Sequence, residues 1–169
     1  MPDKLVNVKA DTAQDFLDNA HKLMGGDKLG DTSYDLDAKA SVDPKTKKIK
    51  KVTFSLTTTI KRVHWSGPAK AKPDKENAAA IKEIEELNKA HEEEHRSGYE
   101  KTFKKLKAKL EKDLVGKDPD DLKDAVKDIK EALKDTCEDL HKSGGMITAT
   151  DNGGKITVKE SAEGPGGCQ

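Results

Sequence analysis

Two histidines with a glutamate between them stand in a charged segment of the chain, in the pentapeptide HEEEH at residues 91–95. In an α-helix, residues four positions apart lie on one face, so the imidazoles of His91 and His95 could bind one metal ion. A third protein ligand and a position for water would complete a tetrahedral catalytic zinc site. Glu92 would then be the general base that takes a proton from the zinc-bound water. The segment therefore predicts the Zn²⁺ site of a peptidase.

The third ligand is expected on a second helix that returns beside the first. The two predicted helices are joined by VGKDPDD at 115–121, and positions equally far before and after this break lie at matching heights in a helical hairpin. His141 lies nearest the apolar face of the second helix, which favours it as the third ligand. Glu138, further round the helix, is the alternative.

The competing interpretation of HEEEH is a pair of packed histidines on a solvated helix. Two imidazoles on an apolar stripe need polar partners, and a metal ion satisfies them. The segment does not extend to the longer metzincin motif, because Lys101 stands where that motif has its third histidine. Tyr99 could stabilise an oxyanion, although its position on the apolar stripe favours a role in the core.

The elements that would position these residues follow from apolar periodicity. Alternation with a period of two predicts strands, and a period near 3.6 predicts helices ended by glycine. The predicted elements are a helix in 11–26, strands in 32–42 and 50–65 joined by a turn at 43–48, helices in about 75–115 and 121–145, and a hairpin in 146–159. Asn152-Gly153 is the turn signal of that last hairpin.

Together these elements predict one α+β domain of zincin type over residues 1–160. An antiparallel sheet would pack on the long HExxH helix, which would form a helical hairpin with the second helix, and a small C-terminal hairpin would follow. A flexible Gly-rich tail is expected over 161–169. A substrate strand could pair with an edge of the sheet, and the Thr-rich strand in 50–65 is one candidate.

The composition excludes several classes of partner. The formal net charge is +0, with 38% charged and 33% hydrophobic residues, so no basic footprint for nucleic acid or an anionic membrane surface is present. No segment is long and apolar enough to span a bilayer. The N-terminal residues show no cleavable signal peptide, so we expect a cytoplasmic protein, one exported by another route, or the mature form of a secreted one.

The two cysteines are too few for a disulfide framework. Cys137 lies on an apolar helix face, where we expect a small buried hydrophobic side chain. Cys168 lies in the glycine-rich tail, and the sequence leaves open whether the two cysteines pair.

The chain resembles the bacterial domain of unknown function 922 family, described as secreted zinc-dependent proteases. The resemblance covers roughly residues 10 to 145 and rests on the leading helix, GDTSYDL at 30–36, the Thr-rich strand, HEEEH, and DTCEDLHKSGG at 135–145. It implies a metallopeptidase. His91, Glu92 and His95 match the family's HExxH helix, and His141 matches its later histidine.

The leading hypothesis for function is a zinc-dependent endopeptidase that hydrolyses peptide bonds of a protein or peptide substrate. An alternative is an interaction or scaffold protein, in which the charged helical hairpin is a partner surface and any metal is structural. A metal-dependent amidase acting on peptidoglycan would use the same four residues. Replacing Glu92 by glutamine separates the enzyme hypotheses from the scaffold, whereas substrate and oligomeric state stay open.

Overall fold

The computed structural model of the protein describes residues 3–164 and 167–168. It has an α+β fold, as the sequence predicts. The elements are β1 (Lys4–Val8), α1 (Ala13–Met24), β2 (Gly30–Val42), β3 (Ile49–Trp65), α2 (Lys75–Asp113), α3 (Asp121–His141), β4 (Gly145–Asn152) and β5 (Lys155–Ala162). In the described part of the chain, no helix combines the length and hydropathy needed to cross a membrane.

The main sheet has three strands in the order β1-β3-β2. β2 and β3 pair antiparallel along their length, with Leu36 opposite Leu56, which confirms the predicted hairpin. β1 pairs parallel with residues 61–65 of β3, so the expectation of a purely antiparallel sheet is wrong. The five residues of β1, KLVNV, are too few to give a clear alternating pattern, and their pairing depends on a partner far along the chain.

The Thr-rich strand is central in the sheet but is only partly covered on one side. β3 has β2 on one side, and on the other β1 pairs with residues 61–65 only. Where β1 does not reach, α2 supplies partners for the backbone of Phe54. The N–H of Phe54 donates to Glu111 Oε1 at 2.8 Å, and Lys107 Nζ donates to the carbonyl of Phe54 at 2.5 Å. The edge strand near the metal-binding motif is β2.

The long helices form the predicted hairpin. The N-cap Asp74 of α2 accepts the backbone N–H of Asn77, which satisfies one of the free donors at the helix start. The turn between α2 and α3 is fixed to the sheet, because the N–H of Gly116 donates to the carbonyl of Ile49 at 2.8 Å and the N–H of Ile49 to the carbonyl of Lys117 at 2.9 Å. Gly116 has φ 83°, a left-handed conformation that glycine adopts readily at a helix end.

Two hydrophobic clusters hold α2 in place. The first joins α1 and the sheet end at Val8 and Val63 to the N-terminal part of α2, at Ile81 and Ile84. The second joins the other end of the sheet to the C-terminal part of α2 and to α3, and it contains Phe54, Tyr99, Ile129 and Leu133. HEEEH lies on α2 between these two clusters. Buried packing on both sides of the motif gives its side chains a rigid support.

The C-terminal hairpin of β4 and β5 is present, and Gly153, with φ 68°, lies in its turn as predicted. The tail does not begin at residue 161 as expected, because β5 continues to Ala162. The N–H of Glu163 then donates to the carbonyls of His141 and Gly144, at 3.0 and 3.1 Å. The described residues of the tail are therefore bonded to the domain. Residues 165, 166 and 169 lie outside the described residues.

Candidate metal centre

Helices α2 and α3 bring three histidines together. His91, His95 and His141 expose only 5%, 4% and 5% of their surface. His95 Nε2 lies 2.9 Å from His91 Nε2 and 3.0 Å from His141 Nε2. All three can offer a ligand atom to one metal ion. Tetrahedral zinc with Zn–N bonds of about 2.0–2.1 Å separates its ligand nitrogens by roughly 3.3 Å, so a small expansion of the cluster accommodates the ion.

Hydrogen bonds alone leave this cluster unsatisfied. A neutral imidazole has one N–H donor and one acceptor nitrogen, so His95 Nε2 forms only one good hydrogen bond with its two neighbours. His95 Nδ1 is also buried, with no hydrogen-bond partner in the described residues. A buried polar atom without a partner costs about 1–3 kcal/mol. A cation that accepts the three Nε2 lone pairs turns this unfavourable arrangement into a favourable one, so the residues fit a metal ion.

His91 and His95 are kept in the neutral form that binds metal. Burial, followed by the proximity of His91 and His141, lowers the pKa of His95 from 6.5 to about 3. Burial also lowers the pKa of His91, and His141 lowers it further, while Glu160 and Glu163 oppose this effect. A metal competes with protons for imidazole, so neutral rings at physiological pH favour metal binding.

Glu92 lies beside the histidines and is buried, with 5% of its surface exposed. Its carboxylate oxygen Oε2 lies 2.5 Å from the hydroxyl of Thr32 on β2. Burial raises the pKa of Glu92 from 4.5 to about 7. The Thr32 hydrogen bond opposes the shift, and the nearby charges of Asp31 and Glu163 increase it. A carboxyl group with a pKa near neutrality can both accept and donate a proton, as general acid–base catalysis requires.

The raised pKa of Glu92 predicts a pH-dependent gain in stability for Glu92→Gln in the metal-free chain. The folded chain binds this proton more tightly than the unfolded chain between pH 4.5 and about 7, so the cost of the buried charge grows with pH across that window and is complete above it. Glutamine removes the charge.

We expect the Glu92→Gln variant to be more stable than wild type at pH 8, by at most ~3 kcal/mol, with a smaller difference at pH 5. Thermal unfolding at both pH values, with exposed Glu94→Gln as control, measures this. An equal effect at both pH values would contradict it.

Gly30 at the start of β2 leaves the space that the Glu92 carboxylate occupies. A Cβ atom built on Gly30 would lie 2.4 Å from Glu92 Oε1. We therefore expect Gly30→Ala to displace the carboxylate and to lower any catalysis in which Glu92 is the general base by roughly 10²-fold, the scale that a misplacement of about 1 Å can cost. Metal content should not change, because the histidines are untouched. An unchanged rate of that reaction in Gly30→Ala would show that the position of Glu92 is unimportant.

A small cavity opens onto these side chains. Its volume is about 20 Å³, which is room for one or two waters. Its lining residues are Lys28, Gly30, Asp31, Thr32, Glu92, His95, Tyr99, Cys137, His141, Glu163 and Gly167. Tyr99 packs edge-on against Tyr34 at 5.2 Å in the core and also reaches the cavity. Burial raises the pKa of Tyr99 to about 12, so its hydroxyl keeps its proton.

The C-terminal hairpin and tail add two carboxylates to the cluster. Glu160 Oε1 lies 3.6 Å from His91 Nδ1 and accepts the N–H of Gly145 at 3.0 Å. A carboxylate on the far nitrogen of a histidine orients the ring for metal binding. Glu163 Oε2 lies 3.2 Å from His141 Nε2 and 3.9 Å from His91 Nε2.

The cysteines are joined in a disulfide, Cys137–Cys168. Cys137 is buried as expected, but it is covalently bonded and not simply a hydrophobic side chain. The expectation was wrong because the partner of Cys137 lies 31 residues further along the chain and reaches it only in the folded protein. Cys168 Sγ lies 3.5 Å from His141 Nδ1. The sulfur atoms would be metal ligands only after reduction, because the thiolate is the ligand.

Glu138, the alternative third ligand, lies outside the cluster. Its side chain is 34% exposed, and its Oε1 lies 3.9 Å from Lys134 Nζ. His141, three residues later, is the residue of α3 that the structure brings to His91 and His95. His141 lies four residues after Cys137 and therefore on the buried face of α3 that Leu133 and Cys137 define. Glu138 directly follows Cys137 in the chain and lies away from that face.

Sequence reasoning missed four residues of the site: Gly30, Thr32, Glu160 and Glu163. All four come from strands or from the tail, far along the chain from HEEEH. Gly30 and Thr32 belong to GDTSYDL, which carried part of the family resemblance, but nothing in that segment alone indicates contact with Glu92. Glu160 and Glu163 have no local signal at all, since acidic residues are common throughout this chain.

The sequence profile of the family described as bacterial protein of unknown function (DUF922) matches residues 5–143, which covers most of the chain, from the second residue of β1 to just past the end of α3. No curated protein and no solved structure shows a significant match.

Proposed function

The chain belongs to the bacterial DUF922 family, and we propose that it is a zinc-dependent peptidase that cleaves polypeptide substrates. His91, His95 and His141 would hold the metal, and Glu92 would be the general base. The observation that carries the proposal is the buried convergence of three imidazole Nε2 atoms beside the carboxylate of Glu92. Three histidines are a known ligand set for catalytic zinc, and the metal would supply Lewis acidity and activate water at neutral pH.

The chain's own residues would move the protons. Glu92, with a pKa of about 7, would accept a proton from the attacking water and deliver it to the leaving amine. Thr32 Oγ1 would fix the carboxylate by the 2.5 Å hydrogen bond. Tyr99, whose hydroxyl stays protonated, borders the same cavity and could donate a hydrogen bond to the developing oxyanion.

An extended polypeptide suits the surroundings of the site. β2 is an edge strand, and its first residues, Gly30–Thr32, lie beside Glu92. A groove of about 680 Å³ lies between Tyr34–Leu36 of β2 and the face of α3 from Lys123 to Lys134. A substrate strand could bond to the free edge of β2 and pass Glu92, as in other cases of strand addition.

The scaffold alternative gives no reason for the burial of Glu92. A carboxylate costs free energy when it is moved from water into a protein interior, and surface recognition needs no such group. A buried carboxylate that costs stability and lies beside a metal-binding cluster is typical of an active site. This proposal therefore includes the zincin arrangement, in which a helix carries the metal ligands and the general base beside an edge strand.

Metal removal tests the proposal directly. We expect the purified chain, assayed with its disulfide intact and with it reduced, to cleave an unfolded protein substrate in at least one of these two states. We expect this activity to be lost after dialysis against a chelator and to return with about one equivalent of Zn²⁺. Magnesium, which prefers oxygen ligands, should not restore activity. Cleavage that survives complete metal removal, or a zinc-loaded chain that cleaves no peptide in a broad peptide library in either state, would contradict the proposal.

A further inference from the structure

The carboxylate of Glu163 lies at the open side of the histidine cluster. Its Oε2 is 3.2 Å from His141 Nε2 and 3.9 Å from His91 Nε2, and its side chain is 19% exposed. Hydrogen bonds from its N–H to the carbonyls of His141 and Gly144 fix the backbone at this point. This carboxylate has no part in the proposed proton transfers, and it lines the cavity that opens onto His95 and His141.

The backbone of β4 leaves room for this close approach. A Cβ atom at Gly145 would lie 2.2 Å from Glu163 Oε2 and 3.0 Å from His91 Nε2. Gly145 also has φ 107°, a conformation that residues with a side chain rarely adopt. Glycine at this position therefore permits the carboxylate and the imidazole to meet.

The disulfide holds the segment that carries Glu163 against the site. It joins Cys168 to Cys137, one turn before His141 on α3. Gly167 lines the same cavity, and a Cβ atom at this position would lie 2.9 Å from Cε of Lys28. Glu163, Gly167 and Cys137 therefore border one cavity. The match to the family profile ends at residue 143, so this segment lies outside the matched residues.

We propose that Glu163 is a fourth protein ligand of the metal, and that the Cys137–Cys168 disulfide keeps it in that role. The inference rests on the proposed metal site. Carboxylate oxygen is an ordinary zinc ligand, and a zinc ion with four protein ligands has no position left for water. The oxidised chain would therefore have a closed site, and the metal in it would be inactive.

Reduction of the disulfide would open the site. A dithiol would give two electrons and two protons to the Cys137–Cys168 bond, leaving two protein thiols and the reductant as a disulfide. Glu163 would then be held to the domain only by β5 and by the hydrogen bonds of its own N–H, and the effective concentration of the carboxylate at the metal would fall. Three histidines would remain, with one position free for water.

Cobalt substitution tests this without an activity assay. The chain is loaded with Co²⁺, whose visible absorption reports its coordination, and is titrated with acetohydroxamate, a small chelating probe that needs an open position. In the oxidised wild type we expect weak hydroxamate binding and a spectrum that the probe barely changes. In Glu163→Gln, and in a Cys137→Ala/Cys168→Ala double variant, we expect hydroxamate binding at least ~10-fold tighter. Glu138→Gln, on the exposed face of α3, is the matched control and should behave as wild type.

The possible outcomes separate this inference from the function it rests on. Co²⁺ binding with equal hydroxamate affinity in wild type and Glu163→Gln would overturn the four-ligand site and leave the peptidase proposal intact. A double variant that stays closed would overturn the role of the disulfide. Thiolate-to-cobalt charge-transfer bands after reduction of the wild type would also contradict opening, since they would show a cysteine of the Cys137, His141 and Cys168 group as the replacement ligand. Failure to bind Co²⁺ at all would overturn both proposals.

Discussion

Glu92→Gln is expected to lower kcat/KM for peptide hydrolysis by ~10²–10⁴-fold, the contribution typical of a general base, and to leave metal content unchanged. Glutamine has nearly the same shape as glutamate, and its amide oxygen can still accept the hydrogen bond from Thr32. It cannot take a proton from water. The measurement is steady-state hydrolysis of a peptide identified from cleaved protein, with the Cys137–Cys168 disulfide reduced and zinc per chain determined on the same samples.

Glu94→Gln is the matched control for this substitution. Glu94 lies two residues further along the same helix and is exposed, so the substitution changes the charge of the helix equally without touching the site. The two variants should differ by at least two orders of magnitude. Similar rates in both would show that Glu92 does not act as the base, and would favour the interpretation of the helical hairpin as a partner surface.

His141→Ala is expected to weaken zinc binding by at least ~10²-fold and to abolish hydrolysis. Losing a direct ligand should exceed the roughly 10–100-fold loss that follows from altering a residue that only supports a ligand. Glu138→Ala, one turn earlier on α3, should bind zinc as tightly as wild type because its side chain pairs with Lys134 and not with the cluster. Competition against a chromophoric chelator measures both affinities.

The opposite pattern would identify a different ligand set. If Glu138→Ala lost zinc affinity and His141→Ala kept it, Glu138 would be the ligand. The face of α3 that packs on α2 would then differ from the face described above. Circular dichroism of each variant shows whether the fold is intact, since both positions lie on the same helix.

The helices and hairpins were predictable because their signals are local. Apolar periodicity defined α2 and α3, and the glycine and proline between them indicated a helical hairpin. That hairpin geometry brings both Glu138 and His141 to the height of HEEEH, since two legs of equal length bring residues at equal distances from the turn together. The place of His141 nearest the apolar face of α3 favours it over Glu138. The inward orientation of His91 and His95 followed from their place on the apolar stripe, and the structure buries both.

The parts that were not predictable depend on contacts between distant segments. β1 is five residues long and pairs with residues more than fifty positions away. Thr32 reaches Glu92 across 60 positions. Glu163 reaches His141 only because β4 and β5 return the chain to α3, and the Cys137–Cys168 disulfide forms for the same reason. No local sequence pattern predicts these contacts between distant segments.

The most direct test of the account is the position of the metal itself. Crystals of the chain grown with zinc would be measured just above and below the zinc absorption edge, and the anomalous difference map would locate the ion. We predict one strong peak per chain, bonded by Nε2 of His91, His95 and His141. No peak among these nitrogens, or a peak that only surface carboxylates surround, would contradict the assignment of HEEEH and His141 as a metal centre.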